Sequence, residues 1–444
     1  MSKPSLGPRR ATPGDSSMGG EGCQLGKPGA GLRPCSSVPV CYNHDEPICF
    51  GERPPLDTAH PPSHTVPLPT QPPILVETQA ALDRLLERLR QAERVGVDTE
   101  SNGFYAYFER VCLVQLAVDG DDYVVDPLAV PDLSGLGEVF ASPHVEKVFH
   151  AAEFDLISLK RDYGFRFANL FDTMIAARIL GWKRYGLGSI LEERFGVHQD
   201  KRFQRADWGQ RPLTPAHLEY ARLDVHYLPA LRDLQYEALV RRGRWEKARE
   251  AFARLAEVPG EARAFDLEGY LRLPGARDLT PRQLHVLRAL YRYRDGEARR
   301  LDRAPFRVLP DRTLVALSQA CPRDEQDLAR IPGLTPHLRR QFGRGLLEVV
   351  RQALREELPE PQHGTSGPLD RTVKDRYEAL REWRREVARA EGVEPDVVLS
   401  NQVLWELAAR CPATPEELAQ VPGLSPWDRK EYGQDLLTLL RRLR

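Results

Sequence analysis

The chain has no apolar run long enough to cross a bilayer, and its start, MSKPSLGPRR, leads into Gly, Pro and Ser with no apolar signal-peptide core. Those absences point to a soluble protein of the cytoplasm. Cysteine is scarce: seven in 444 residues, an odd number without paired spacing. That excludes a secreted disulfide framework and leaves reduced thiols. Cys23, Cys35, Cys41 and Cys49 lie near His44, but no C-x-x-C pair occurs, which argues against zinc there. No G-x-x-x-x-G-K-[ST] phosphate loop occurs either, so a helicase is excluded. Lysine is rare and arginine supplies nearly all the positive charge. The planar fork of arginine suits phosphate oxygens, although a genome rich in Arg codons would leave the same bias.

What is present describes two or three globular domains. The chain is too long for one ordinary domain, and 41% hydrophobic with 29% charged residues is ample for buried cores. The net charge of −1 conceals an uneven distribution. Residues 280–355 carry 16 Arg against 8 Asp plus Glu, whereas residues 371–444 carry 13 basic and 13 acidic side chains.

Residues 1–73 are dense in Pro, Gly and Ser and read as a disordered tail. From Ile74 the pattern changes. Thr78 is placed to cap a helix whose stripe is Leu82, Leu85, Leu86 and Leu89. Short β-rich runs follow at 94–97, 111–116, 123–125 and 147–149, the last before a helical stretch. Strands in succession and then strands mixed with helices predict an α/β domain with a mixed sheet over 74–242. The segment from about Asp172 to Arg242 reads almost wholly helical, and no strand signal follows residue 245.

Beyond a helical connector at 243–279 lies an internal repeat. Asp311–Leu317 aligns with Asn401–Leu407, Cys321-Pro322 with Cys411-Pro412, Pro332-Gly333-Leu334 with Pro422-Gly423-Leu424, and Gly343 with Gly433. The offset is 90 residues throughout. It defines two small all-helical domains, 280–355 and 371–444, joined by a Gly-Pro-rich linker at 356–370.

Three carboxylate clusters carry the chemistry. Asp98 and Glu100 end an apolar run that should be a buried strand, so they project from one face and raise each other's pKa unless a cation sits between them. A loop acid beside a helix cap is the competing explanation. Asp155 follows a strand in His150-Ala151-Ala152-Glu153-Phe154-Asp155, where the helix dipole alone would favour an acid. Thr214 and Pro215 start a helix that sets Tyr220 and Asp224 one turn apart. A phenol beside a metal-binding carboxylate suits hydrolysis; a buried Tyr bonded to a nearby acid is the bland alternative.

Taken together, strand D-x-E, then H-A-x-x-x-D, then helical Y-x-x-x-D, resemble the DEDD exonuclease superfamily in its DEDDy branch. Cys112-Leu113-Val114-Gln115-Leu116, Asp126-Pro127-Leu128, Phe171-Asp172-Thr173 and Asp207-Trp208 with Arg211-Pro212-Leu213-Thr214 narrow the likeness to bacterial ribonuclease D. The paired helical repeat resembles HRDC domains. The resemblance covers about residues 74–444 and implies an RNase H-like α/β exonuclease domain followed by two all-α HRDC domains. It implies a 3′–5′ exoribonuclease acting on RNA with a free 3′ end, tRNA precursors among it, and releasing nucleoside 5′-monophosphates; three tethered domains are compatible with action as a monomer. The implied cofactors are two Mg²⁺ or Mn²⁺ ions: Asp98 bridging both, Glu100 and Asp224 completing one site, Asp155 holding the other, and Tyr220 orienting the water. The alternatives are a DNA 3′–5′ exonuclease and a catalytically inactive nucleic-acid-binding protein. Two departures from the family pattern are Arg222, expected to be solvated rather than to reach a phosphate, and Glu153, expected to be a helix-start acid. The charge asymmetry predicts that the first repeat binds RNA phosphates while the second is structural or meets proteins.

Overall fold

The computed structural model describes residues 69, 71–261, 265–358 and 370–444. The cysteine-rich part of the tail and most of the 356–370 linker lie outside the described residues.

The amino-terminal half is a mixed six-stranded sheet flanked by helices. Its strands are β1 (Ile74–Val76), β2 (Arg94–Ser101), β3 (Val111–Val118), β4 (Asp121–Val125), β5 (Glu146–Phe149) and β6 (Leu170–Asp172), in the order β1-β4-β3-β2-β5-β6. β2, β3 and β4 form an antiparallel meander, and β1, β5 and β6 join it through parallel pairings. Every residue of β3 is buried, as expected of a central strand covered on both faces. The helices are α1 (Gln79–Gln91), α2 (Ser134–Ala141), α3 (Glu153–Tyr163), α4 (Thr173–Ile179), α5 (Leu187–Phe195), α6 (Pro215–Leu223), α7 (Leu228–Arg241) and α8 (Trp245–Ala256).

Local chemistry sets several boundaries. Thr78 caps α1 by accepting from the Ala81 N–H, and Leu82, Leu85, Leu86 and Leu89 are its buried stripe. Thr214 and His217 form a capping box with Pro215 in the first turn of α6. One expectation needs correcting, and two strands went unmarked. The stretch from Asp172 to Arg242 is helical only in α4, α5, α6 and α7, with a nonhelical passage between α5 and α6 broken by one 3₁₀ turn at Lys201–Phe203. The passage holds Trp208 buried by tertiary packing, which helical periodicity cannot register. The three-residue strands β1 and β6 are too short to carry an alternation signal.

The carboxy-terminal half is entirely helical among the described residues, and the repeat is reproduced element by element. The first copy comprises α9 (Pro281–Leu301), α10 (Pro305–Val308), α11 (Asp311–Ala320), α12 (Glu325–Ala329) and α13 (Pro336–Arg355). The second comprises α14 (Arg371–Glu391), α15 (Pro395–Val398), α16 (Asn401–Arg410), α17 (Pro415–Ala419) and α18 (Pro426–Arg442). Cys321 and Cys411 end α11 and α16 in the left-handed conformation, with φ of 46° and 45°, so even the strained turns repeat. Each copy has its own apolar core, one around Leu290, Leu314 and Leu346, the other around Leu380, Leu404 and Leu436.

Both copies dock on the α/β domain. The loop after β2 meets the first copy: Asp302 accepts from the Tyr107 and Phe108 N–H groups at 3.1 and 2.9 Å, and Ala304 N–H donates to the Tyr105 carbonyl at 3.0 Å. The second copy meets α8. There the Lys247 ammonium lies 4.5 Å from the Trp427 ring centre, 5.2 Å from that of Tyr432 and 3.9 Å from Asp428.

Candidate active site

β2 carries the first two carboxylates, and its residues 96, 98 and 100 share one face. The β2–β3 register shifts between Glu100 and Ser101, so that Cys112 is skipped as a partner of β2. The bulge re-aims the strand end at the acidic residues. The Cys112 carbonyl accepts from Arg211 Nη2 at 2.9 Å, and Arg211 in turn grips Asp126 through two bonds of 2.6 and 2.7 Å. Three of the sequence motifs quoted above therefore interlock behind the acidic strand.

Gly96 brings in the fourth carboxylate. A side chain there would come within 3.0 Å of the Val225 carbonyl and 3.3 Å of Leu228 Cβ. The missing Cβ lets the turn between α6 and α7 lie against β2, which sets Asp224, the C-cap of α6, beside Asp98. Asp155 is oriented differently. Asp172 accepts from the Ala152 N–H at 2.8 Å and also caps α4, which pins the start of α3. One turn in, Asp155 Oδ1 accepts from the Thr99 backbone N–H at 3.1 Å and from the Thr99 hydroxyl.

The five predicted residues all line one cleft of about 790 Å³. Carboxylate oxygens of Asp98, Glu100 and Asp224 lie within 4.8 Å of one another. Asp155 stands outside that trio, with one oxygen committed to Thr99. Tyr220 is buried one turn before Asp224 on α6. Gln199, Lys201, His150 and Thr99 are among the residues of the walls, as are Phe104, Phe154 and Phe306. Sequence reading had passed over Thr99 and Gln199, which hydrogen-bond Asp155 and Asp224. Only Thr99 left a trace, as the residue inside the D-x-E motif.

Electrostatics sharpen what the cleft requires. The trio is partly open to the cleft yet deep in the protein, and none of the four acids forms a salt bridge among the described residues. Burial, then the neighbouring charges of Asp155, Asp224 and Glu100, hold Asp98 well above the usual carboxylate range. Glu100 is raised in the same way by burial and by Asp224 and Asp155. Burial lifts Asp155 to about 7 against the opposing bonds from Thr99. It also lifts Asp224 to about 7, against the bond from Gln199 and with the Asp155 charge adding to it. His150 cannot supply the missing positive charge: burial lowers it to about 4, and its Nδ1 pairs with the Thr173 hydroxyl at 2.8 Å. Burial and the adjacent acids raise the Tyr220 phenol, so it keeps its proton and acts as a hydrogen-bonding group rather than a base. A set of hard oxygen donors this crowded, with no basic side chain of the described residues paired to them, fits divalent metal ions of the Mg²⁺ or Mn²⁺ kind.

Two minor expectations also resolve. Arg222 is not solvated: it is 5% exposed, pairs with Glu219 at 2.6 Å and donates to the Gln71 carbonyl. Its guanidinium reaches the segment entering β1, a contact with no local sequence signal. Glu153 is the exposed first residue of α3, as expected of a helix-start acid.

Comparison with known proteins places this geometry. A 3′-5′ exonuclease family model matches residues 73–234, and an HRDC domain model matches residues 283–350 and 373–440. The chain is 34% identical to ribonuclease D of Gluconacetobacter diazotrophicus over 83% of its own length and 92% of that protein. Among solved structures, Escherichia coli RNase D aligns with a TM-score of 0.60 at 25% identity, over 84% of this chain and 99% of that one. The catalytic core of RRP6 from Trypanosoma brucei aligns with a TM-score of 0.58 at 28% identity, over 66% of this chain and 82% of that one.

Proposed function

The chain belongs to the ribonuclease D family, and on that premise we propose that Asp98, Glu100, Asp155, Asp224 and Tyr220 form the active site of a 3′–5′ exoribonuclease. It is a hydrolytic enzyme of the 3′-5′ exonuclease class. The observation that carries the site is the convergence of three carboxylates within 4.8 Å, with Asp155 lining the same cleft and no Lys, Arg or His paired with any of them among the described residues. Asp98, Glu100 and Asp224 would hold one divalent ion, and Asp98 with Asp155 a second, Mg²⁺ or Mn²⁺ in each case. When bound, such ions polarise the attacking water and neutralise charge on the leaving oxygen. The remaining work falls to the chain. Tyr220 keeps its proton and orients the water by hydrogen bonding. Gln199 and Thr99 hold Asp224 and Asp155 in place. Water adds to the terminal phosphorus while the bond to the 3′ oxygen breaks, and that oxygen takes up a proton. The products are a nucleoside 5′-monophosphate and an RNA shorter by one nucleotide.

The substrate reading is RNA with a free 3′ end, tRNA precursors included. The E. coli relative is described as an exoribonuclease involved in structured RNA processing. Matched RNA and DNA strands degraded side by side, with mononucleotide products resolved, test it. RNA is expected to shorten faster, in single-nucleotide steps and only with divalent metal; faster loss of DNA would remove the claim.

The domain boundaries proposed are 74–242 for the exonuclease, 280–355 and 371–444 for the HRDC copies, with the protein acting as a monomer in the cytoplasm. No helix among the described residues is long and apolar enough to cross a membrane. The basic first copy is proposed to hold RNA phosphates. Arg340 and Arg344 are exposed on α13 with no ion pair to a described residue, whereas the second copy has Lys430 and Gln434 at the same repeat positions. Changing both arginines to Gln should lower the slope of log affinity against log salt by about 1.4 on single-stranded RNA. Lys430→Gln should leave the slope within about 0.3 of the parent. Equal changes from the two copies would defeat the assignment.

A further inference from the structure

The two repeats turn the same edge toward the α/β domain and present different chemistry there. In the second copy Asp396, at the start of α15, pairs with Arg178 at 2.6 Å, and the carbonyl of Gly392 packs against Gly181. Ninety residues earlier, the equivalent of Asp396 is Phe306, on α10 of the first copy. It makes no comparable anchor. Phe306 remains 46% exposed and lines the same cleft as the four carboxylates. Hydrogen bonds that dock this copy come from other residues: Asp295, which accepts from the Tyr107 hydroxyl, Asp302, Ala304, and Arg307, whose Nε donates to the Phe104 carbonyl.

Phe306 does not stand alone. Phe104, 47% exposed, meets it edge-on with ring centres 6.4 Å apart, and Phe154, 65% exposed, lines the cleft as well. Three half-open phenylalanines around an acidic floor gain little from folding, and a clustered apolar patch on a soluble protein marks a contact surface. Cations border it. The Arg205 guanidinium lies 5.8 Å from the Phe104 ring centre, that of Arg307 lies 5.9 Å from Phe306, and Lys201 is in the wall. A ligand with flat apolar faces on an anionic backbone matches all three features, and a single strand of nucleic acid is such a ligand.

We propose that the first HRDC copy completes the substrate site by supplying Phe306 as a stacking platform for one nucleobase of the RNA strand entering the cleft. This rests on the exoribonuclease reading above. Phe306 is a substrate-binding residue, and the docking contacts of Asp302 and Ala304 position the segment that carries its ring.

The test compares Phe306→Ala, Phe306→Leu and Phe306→Tyr in the full-length protein with Mg²⁺ on a single-stranded RNA. Leucine keeps the apolar volume that packs on Phe104 but has no π face; tyrosine keeps the ring. Ala and Leu are each expected to raise KM about tenfold with kcat within about twofold, and Tyr to restore the parental KM. RNAs carrying one abasic nucleotide at successive positions from the 3′ end locate the partner. At one position the parent should lose affinity as Phe306→Leu does, and the two losses should not add. Full rescue by leucine would make Phe306 a packing residue and overturn the proposal, as would losses that add at every position. Failure of the parent to cleave RNA at all would instead remove the exoribonuclease reading.

Discussion

Asparagine in place of Asp98 is expected to lower kcat on RNA by about three orders of magnitude or more, with little change in RNA affinity. The side chain keeps its shape and loses the charge shared with both proposed cation positions, so the loss falls on the transition state rather than on binding. Asp155→Asn and Asp224→Asn should fall in the same range. Tyr220→Phe should be milder, about 10- to 100-fold, because the phenol orients water without exchanging its proton. Single-turnover cleavage of a 3′-labelled RNA at saturating Mg²⁺ measures the effect, and RNA binding is read separately on the same variants. A fully active Asp98→Asn or Asp155→Asn protein would show that the acids have been misassigned.

The second large effect is on stability. Unfolded, Asp155 and Asp224 titrate near 4; folded and without metal they titrate at about 7. Between those values the folded state binds more protons than the unfolded chain, so unfolding free energy falls as pH rises. The contribution is therefore complete below about pH 4 and lost by pH 7 to 8. Over that window the metal-free protein should lose a few kcal/mol, a Tm decrease of roughly 5 °C or more relative to the same protein with metal. Saturating Mg²⁺ or Mn²⁺ supplies the missing positive charge and removes most of the slope, adding about 2.7 kcal/mol at a concentration one hundred times Kd. Thermal melts at half-unit pH steps in chelator and in metal would reveal it. Asp155→Asn and Asp224→Asn should each flatten the chelator curve. Superimposable curves with and without metal would mean that the carboxylates are not held deprotonated by a cation.

The parts of this molecule written in local chemistry were legible beforehand. The D-x-E pair is visible because strand alternation aims both side chains one way, and α6 because Thr214 and Pro215 announce it. The repeat was legible because its turns demand the same residues twice. What escaped depends on distant pairings. Gln199 reaches Asp224 from a passage that looks helical and is not, and Thr99 is spoken for by Asp155 only because α3 is pinned by Asp172. Arg222 was misjudged because the carbonyl it binds belongs to Gln71, in another part of the chain. Phe306 carries no motif of its own; its place in the cleft exists only once the first copy has docked.

The close approach allowed by Gly96 also bears on how such an enzyme can be made safely. A ribosome emits Asp98 and Glu100 early, Asp155 later, and Asp224 only after most of the sheet has been synthesised. Until the turn beyond α6 reaches Gly96, the nascent chain lacks the third carboxylate of the Asp98, Glu100 and Asp224 cluster. On the proposed assignment the growing polypeptide, surrounded by messenger and transfer RNA, stays inert through the first half of its translation. It acquires activity only when α6 and α7 have emerged and closed onto the sheet.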